Sequence, residues 1–291
     1  MSDDLVTRLR RLDACAVSDA LDRLGIDGQV ASGLEQRATA QRIAGRTVTY
    51  RLERAGQVPR REGPPRHLGT TAIELAQPGD VIVVEQRTGV EAGCWGGILS
   101  LGAKVKGVGG VVADGPVRDI DEARAYELPV YCRSLTARTA RGRVEEAEVG
   151  GPVCIGGVTV RAGDLVIADA SGVVFVPADH AEAVIDAAER IAGREAAMAR
   201  DLLAGRPVTE VLHFRSYEVN EGYARGVFDR TYTSTMKASS SHLIFLSALG
   251  TIFSWLGRLQ TPRVRTQLEA AAQRLAAANT GELVRLIGAP E

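Results

Sequence analysis

The segment Gly93–Glu122 combines the residue types that bind a small anion and a divalent cation. Two adjacent glycines begin the run Gly96, Gly97, Ile98 and Leu99, directly before a stretch of helical composition. Glycines ahead of a helix leave backbone N–H groups free to meet a carboxylate, and the helix dipole adds favourable potential there. A glycine pair alone is more often only a tight turn. With its neighbours, this run predicts an anion-binding turn.

An arginine and an aspartate follow the next predicted strand and its Asp-Gly turn. The guanidinium of Arg118 matches the edge of a carboxylate or keto acid in two parallel hydrogen bonds. Asp119 is expected to point in a different direction and to hold a hard divalent cation, directly or through water. Such a pair alone is typical of a surface ion pair. Combined with the glycine turn at a fixed spacing, it predicts a small anion bound beside a metal.

The elements that position these residues alternate between strands and helices. Short β-branched runs bounded by Gly, Pro and Asp predict strands within 43–53, 78–86, 107–115, 128–134 and 153–177. Segments of helical composition lie between them at 70–77, 97–107 and 118–127. A first helix over about 24 residues should stop at Gly25, and a long helix is expected from about Ala178 to Leu203. This order predicts a mixed α/β fold.

Composition excludes several classes of function. The chain has 291 residues, with 35 basic and 36 acidic side chains and a net charge of -1. This balance gives no overall electrostatic attraction for nucleic acids or anionic membranes. The four histidines are scattered, and no nucleotide-binding glycine motif follows a strand, so a hydrolase triad or nucleotide fold gains no support. Four widely spaced cysteines and a charged N-terminal segment predict a protein of the reducing cytoplasm.

The composition changes after Leu212, which predicts a first domain over 1–212 and a mainly helical C-terminal extension over 213–291. The extension contains an apolar stretch at 242–257, shorter than the roughly 20 residues that span a bilayer. We therefore expect a buried or partner-docking helix there. The Arg-, Pro- and Gly-rich segment 54–66 is expected to be a solvated surface loop rather than a phosphate site.

The chain resembles the RraA-like proteins and 4-hydroxy-4-methyl-2-oxoglutarate aldolases. Their pattern is a glycine, twenty residues, Arg-Asp and an acid after two more residues, which Gly97, Arg118, Asp119 and Glu122 reproduce. The phrases VSDALDRLG, PGDVIVV, GVVADGPVRD and LPVYCRS are also similar to the family, so the resemblance covers about residues 5 to 212. It implies a three-layer fold related to swivelling β/β/α domains, assembled as homotrimers or hexamers with active sites between subunits.

The resemblance also implies a chemistry. Amides of the turn Gly96–Leu99 would bind a pyruvate-like 2-keto acid together with Arg118, and Asp119 would hold Mg²⁺ or Mn²⁺. Glu122, which matches the trailing acid of the pattern, is a weaker candidate. From its position in the long helix alone, Glu195 is expected to be either an acid supplied by a neighbouring subunit or a solvated helix residue. Arg118 and Asp119 would be the catalytic residues of a metal-dependent lyase, an aldolase or an oxaloacetate decarboxylase, working through a pyruvate enolate.

Two alternatives remain open at this stage. One is a non-catalytic regulator that binds a ribonuclease or another protein, and the other is a family scaffold recruited to a specialised biosynthetic pathway. Catalytic aldolases of the family commonly carry an acid where this chain has Gly97; this difference and the added C-terminal extension keep the regulator open, whereas the retention of Arg118 and Asp119 favours the lyase. Trp95 is expected either to wall the pocket or to lie in the core.

Overall fold

The computed structural model describes residues 2–59 and 67–212. The helices predicted after residue 213, the apolar stretch 242–257 and residues 60–66 of the surface loop lie outside the described residues. Contacts divide the chain into a first unit, Met1–Ala192, and a second, Gly193–Glu291. The domain boundary predicted at residue 212 stays a prediction.

The described residues of the first unit form eleven strands, nine of which lie in one mixed sheet. The strands are β1 (Val30–Ala31), β2 (Glu35–Gln36), β3 (Ile43–Arg54), β4 (Val81–Glu85), β5 (Gly110–Val117), β6 (Val130–Leu135), β7 (Val144–Val149), β8 (Val153–Ile155), β9 (Val158–Val160), β10 (Leu165–Asp169) and β11 (Gly172–Val176). The sheet order is β1-β11-β10-β3-β4-β5-β6-β2, β7 pairs with β3, and β8 and β9 form a separate hairpin. Strands β3 to β6 are mutually parallel.

The described helices follow the predicted positions, except that the N-terminal helix is divided in two and that the short helix Val208–Val211 was not predicted. They are α1 (Ser2–Leu9), α2 (Ala14–Arg23), α3 (Thr70–Leu75), α4 (Gly97–Lys106), α5 (Ile120–Ala125), α6 (Ala181–Leu203) and α7 (Val208–Val211). The prediction of one continuous N-terminal helix is wrong, because Asp13 caps a new helix by accepting a 2.8 Å hydrogen bond from the Ala16 N–H. The predicted stop at Gly25 is confirmed by its left-handed φ of 68°.

Strand alternation divides the core into two layers. Ile82 and Val84 of β4 pack with residues of α3, α4 and α5, whereas Val81 and Val83 pack with β8, β9, β10 and β11. Helices α3, α4 and α5 therefore cover one face of the parallel strands, whereas the other face packs against the β8–β9 hairpin and against β10 and β11 of the same sheet. This arrangement confirms the predicted three-layer α/β fold.

The crossovers set the position of the predicted site. Each parallel strand from β3 to β5 is followed by a helix, so α4 and α5 both begin near the edge where the parallel strands end. Ligands of parallel sheets bind at that edge. None of the described helices is both long and apolar enough to cross a bilayer.

Candidate active site

The glycine turn is held against the end of β5. The Cys94 N–H donates to the Pro116 carbonyl at 2.8 Å, and the Arg118 N–H donates to the Trp95 carbonyl at 3.0 Å. Trp95 also forms an isolated parallel bridge with Val117. These backbone bonds bring the start of α4 beside the Arg-Asp pair, although about twenty residues separate them in sequence.

Arg118 and Asp119 contact each other directly. The Asp119 Oδ2 accepts hydrogen bonds from Arg118 Nε at 3.0 Å and from the Gly97 N–H at 3.2 Å. Asp119 has left-handed backbone angles, φ 55° and ψ 39°, which turn its side chain back toward its neighbour. The expectation that Asp119 points in a different direction is therefore wrong. Both of these bonds are made to Oδ2, and Arg118 uses only its Nε. Among the described residues, the Asp119 Oδ1 and the terminal nitrogens of Arg118 have no hydrogen-bond partner.

Glu122 lies against the glycine turn from the first turn of α5. A Cβ atom built on Gly97 would lie 1.9 Å from the Glu122 Oε2, and one built on Gly96 would lie 3.1 Å from the Asp119 Oδ2. The two carboxylates thus border consecutive residues of the turn. Glu122 occupies the space that a side chain at position 97 would fill, so a carboxylate is present there although residue 97 is glycine.

Amides at the start of α4 are available to an anion. The Gly97 N–H is occupied by Asp119, and the Ser100 N–H donates to the Gly96 carbonyl at 3.0 Å. The amides of Ile98 and Leu99 have no acceptor within the described part of the chain. They are among the N–H groups that a helix leaves unpaired at its start. The Ile98 side chain is 70 % exposed, whereas Leu99 packs into the core.

Three supporting residues were not predicted from the sequence. A Cβ on Gly93 would lie 2.9 Å from the Arg118 Cγ, so a side chain at position 93 would collide with the arginine where it passes over the backbone. The buried Tyr50 hydroxyl donates to the Cys94 carbonyl at 2.7 Å. Ser100 bonds the Gly96 carbonyl from within α4. Trp95, 1 % exposed, is a core residue rather than a pocket wall.

The residues present fit a hard divalent cation that retains water. The carboxylates of Asp119 and Glu122 offer oxygen ligands beside the turn. No group of three or more His, Cys, Asp or Glu side chains in the described ranges is placed to hold a metal by itself. Mg²⁺ is commonly bound through only one or two carboxylates, with waters and substrate completing its shell. Glu195 lies on α6 within the second unit, and its role stays a prediction.

A cavity of about 490 Å³ lies along the ends of β4, β5 and β6. Arg118 and Asp119 do not line it, whereas Arg87, Asp114 and Arg133 do. The buried Asp114 carboxylate bonds the Arg133 guanidinium and accepts from the Gly156 N–H at 2.8 Å. This ion pair joins β5, β6 and the β8–β9 hairpin, which is a structural role.

Comparison with known proteins identifies relatives of this chain. The model of the RraA-like family, described as Aldolase/RraA, matches residues 14–175. The 4-hydroxy-4-methyl-2-oxoglutarate aldolase of Thermus thermophilus is 31% identical over 137 residues, covering 47% of this chain and 76% of that protein. Protein DlpA of Legionella pneumophila is 29% identical over 184 residues, or 63% of this chain, but the chain spans only 29% of its length.

A solved structure agrees with these relatives. It is RraAS2 from Streptomyces coelicolor, described as an unusual member of the RNase ES inhibitor RraA protein family. It superposes with a TM-score of 0.58 at 29% sequence identity, covering 70% of this chain and 96% of that one. The family model matches more than half of the chain and includes the glycine turn, Arg118, Asp119 and Glu122. The chain belongs to the RraA-like family.

Proposed function

We propose that this protein is a divalent-metal-dependent lyase of small 2-keto acids. Its reaction would be retro-aldol cleavage of substrates like 4-hydroxy-4-methyl-2-oxoglutarate, decarboxylation of oxaloacetate, or both. The observation that carries the proposal is the convergence of Arg118, Asp119 and Glu122 on the Gly96–Gly97 turn. The aldolase relative in Thermus thermophilus supports the same reaction class.

The chain's own groups account for substrate binding. The terminal nitrogens of Arg118 form a free fork that suits the carboxylate of a keto acid. The amides of Ile98 and Leu99 add two further donors at the positive end of α4. Together these groups orient the acid and favour negative charge on the pyruvate fragment when the carbon–carbon bond breaks.

The acids of the site would hold the cation. Asp119 offers its free Oδ1, and Glu122 offers the carboxylate beside Gly97. When bound there, Mg²⁺ or Mn²⁺ polarises the 2-keto carbonyl, which assists carbon–carbon cleavage. Asp119 Oδ2 remains fixed by Arg118 and by the Gly97 N–H, so the orientation of the carboxylate does not depend on the ion.

We also propose that the protein assembles as a homotrimer or hexamer. Support comes from α4, whose exposed residues Ile98, Leu101 and Val105 form an apolar stripe next to the site. The spacing of three and four residues places them on one face of the helix. Analytical ultracentrifugation of the full chain tests this part, and a monomer at micromolar concentration would contradict it.

Pyruvate release tests the proposed reaction. Purified protein with Mg²⁺ or Mn²⁺ is mixed with oxaloacetate and with 4-hydroxy-4-methyl-2-oxoglutarate. We expect turnover that a chelator removes and that Arg118→Gln lowers about 100-fold, as expected when an oxyanion donor is lost. Arg124→Gln is the matched control, because Arg124 lies on nearby α5 but bonds Asp121 and the Arg37 carbonyl instead. Turnover that survives both chelation and Arg118→Gln would refute the assigned site.

A second candidate function is regulation of a ribonuclease by protein contact. The similarity to RraAS2, whose family is described as RNase ES inhibitors, favours it. If no 2-keto acid is turned over with either metal, this regulator becomes the better proposal. Inhibition of a ribonuclease E-type enzyme by the purified chain then tests it directly.

A further inference from the structure

We propose that Ser100 is a positioning residue of the candidate site, because its hydroxyl fixes the peptide that presents the Gly97 N–H to Asp119. The assignment of this role to catalysis rests on the proposed function. Ser100 is 0 % exposed, lies within α4 and touches neither Arg118 nor Asp119 through a hydrogen bond. It therefore acts on the site through the turn.

The direction of the hydrogen bonds follows from the donors present. Trp95 Nε1 lies 2.9 Å from Ser100 Oγ, and an indole nitrogen can only donate. Ser100 Oγ must accept that bond, which leaves its own proton for the Gly96 carbonyl at 3.0 Å. The buried indole thus sets the orientation of the hydroxyl.

The peptide between Gly96 and Gly97 carries the effect to the site. Its carbonyl and its N–H lie in one plane and point in opposite directions. When Ser100 holds the carbonyl on one side, the Gly97 N–H must point to the other side, where it meets the Asp119 Oδ2 at 3.2 Å. Oδ1 is then the carboxylate oxygen that is left free.

The flanking residues make this restraint necessary. Glycine has the widest backbone freedom, and this peptide has glycine on both sides. Gly96 has no side chain to cap the helix. Without the hydroxyl, the carbonyl would keep, among the described residues, only its bond from the Ser100 N–H at 3.0 Å. The peptide would therefore be loosened rather than released, and the expected effects are moderate.

Amide hydrogen exchange in the absence of substrate and metal tests the restraint directly. In the full chain with Ser100→Ala, we expect the Gly97 amide to exchange at least fivefold faster than in the wild type. Thr49→Val is the matched control, because the Thr49 hydroxyl is equally buried and donates to the Gly151 carbonyl at 2.7 Å, away from the turn. It should leave the Gly97 amide unchanged. Equal exchange of Gly97 in wild type and Ser100→Ala would overturn the proposal.

Kinetics provide the second measurement. If the lyase reaction is present, Ser100→Ala should lower kcat/KM about tenfold. Adding Trp95→Phe to the Ser100→Ala variant should lower kcat/KM by less than a further twofold, because Trp95 acts through Ser100. A tenfold additional loss would contradict the coupling. If the wild type turns over no keto acid, the proposed function fails, while the exchange measurement still decides whether Ser100 holds the turn.

Discussion

Gly97 meets two requirements at one position in the site. Its N–H contacts Asp119, and its missing side chain leaves room for the Glu122 carboxylate. Aldolases of the family commonly carry an acid where this chain has Gly97. The site of this chain still has a carboxylate at that place, because Glu122 reaches it from α5. Arg118 similarly depends on Gly93, where a Cβ would lie 2.9 Å from its Cγ.

Substitution of Gly97 tests this reading. A Cβ in Gly97→Ala would lie 1.9 Å from Glu122 Oε2, so the carboxylate must move away. We expect the Kd for Mn²⁺, measured by titration, to rise about tenfold, in the range seen when groups that orient metal ligands are removed. Gly102→Ala on the same helix is the control, since its Cβ would meet only Ile73 Cδ1 at 3.8 Å. Unchanged Mn²⁺ affinity in Gly97→Ala would exclude Glu122 from the metal site.

Asp119 can be tested without disturbing its unusual backbone. Asparagine tolerates the left-handed region, so Asp119→Asn keeps the φ of 55° but removes the negative charge. We expect metal-dependent turnover to fall about 100-fold, while Tm changes by less than about 4 °C, which corresponds to about 1–2 kcal/mol or less for a domain of about 200 residues. Asp121→Asn, whose side chain is 91% exposed, should retain activity. A loss of Tm that parallels the loss of activity would indicate a structural role for Asp119.

At the scale of elements, buried titratable groups on β3, on β6 and in the segment before α4 should make the stability of the fold sensitive to alkaline pH. Burial raises the pKa of the Cys132 thiol to about 11, and it raises the pKa of Cys94 and of Tyr50 well above their usual values. In the unfolded chain a cysteine thiol ionises with its ordinary pKa near 9. The unfolded state therefore binds fewer protons than the folded state above this pH.

The free energy of unfolding should consequently fall as the pH rises from 9 to 11. Urea unfolding at pH 8 and pH 10 measures this, with the lower midpoint expected at pH 10. Cys132→Ala should lower stability at pH 8, because it removes a buried sulfur, and should reduce the further loss at pH 10. A midpoint that is equal or higher at pH 10 in the wild type would contradict the raised pKa values.

The parallel strands could be predicted because their β-branched residues face cores on both sides of the sheet. Strand β7, with the sequence VEEAEV, escaped prediction because only Val144 of its residues is buried. The types and spacing of Gly97, Arg118 and Asp119 were sufficient to predict that these three residues lie together. The direction of Asp119 was not predictable, because a left-handed aspartate leaves no pattern in the sequence. Tyr50 bonds Cys94 across 44 residues, a distance that local periodicity does not report.

At the scale of the whole molecule, a truncation point is acceptable only if it leaves helix α6 intact. The helix runs Ala181–Leu203, and Val184, Ile185 and Ala188 of its first half are buried. The contact boundary at Ala192 falls inside this helix, whereas residue 212 falls after α7. All four cysteines lie in the part before residue 212 and are unpaired, so no disulfide restrains the choice of end point.

Truncation tests whether residues 213–291 are an addition to the family domain. We expect a chain of residues 1–212 to fold and to keep the oligomeric state of the full protein, because it retains every residue of α6 and α7. A chain of residues 1–192 should melt at a lower temperature, since it cuts α6 within its length and leaves a shorter, less cooperative helix. Thermal melting and analytical ultracentrifugation of both chains supply the measurement. If residues 1–212 are insoluble while the full chain is soluble, residues 213–291 contribute to the same core and the two-domain division is wrong.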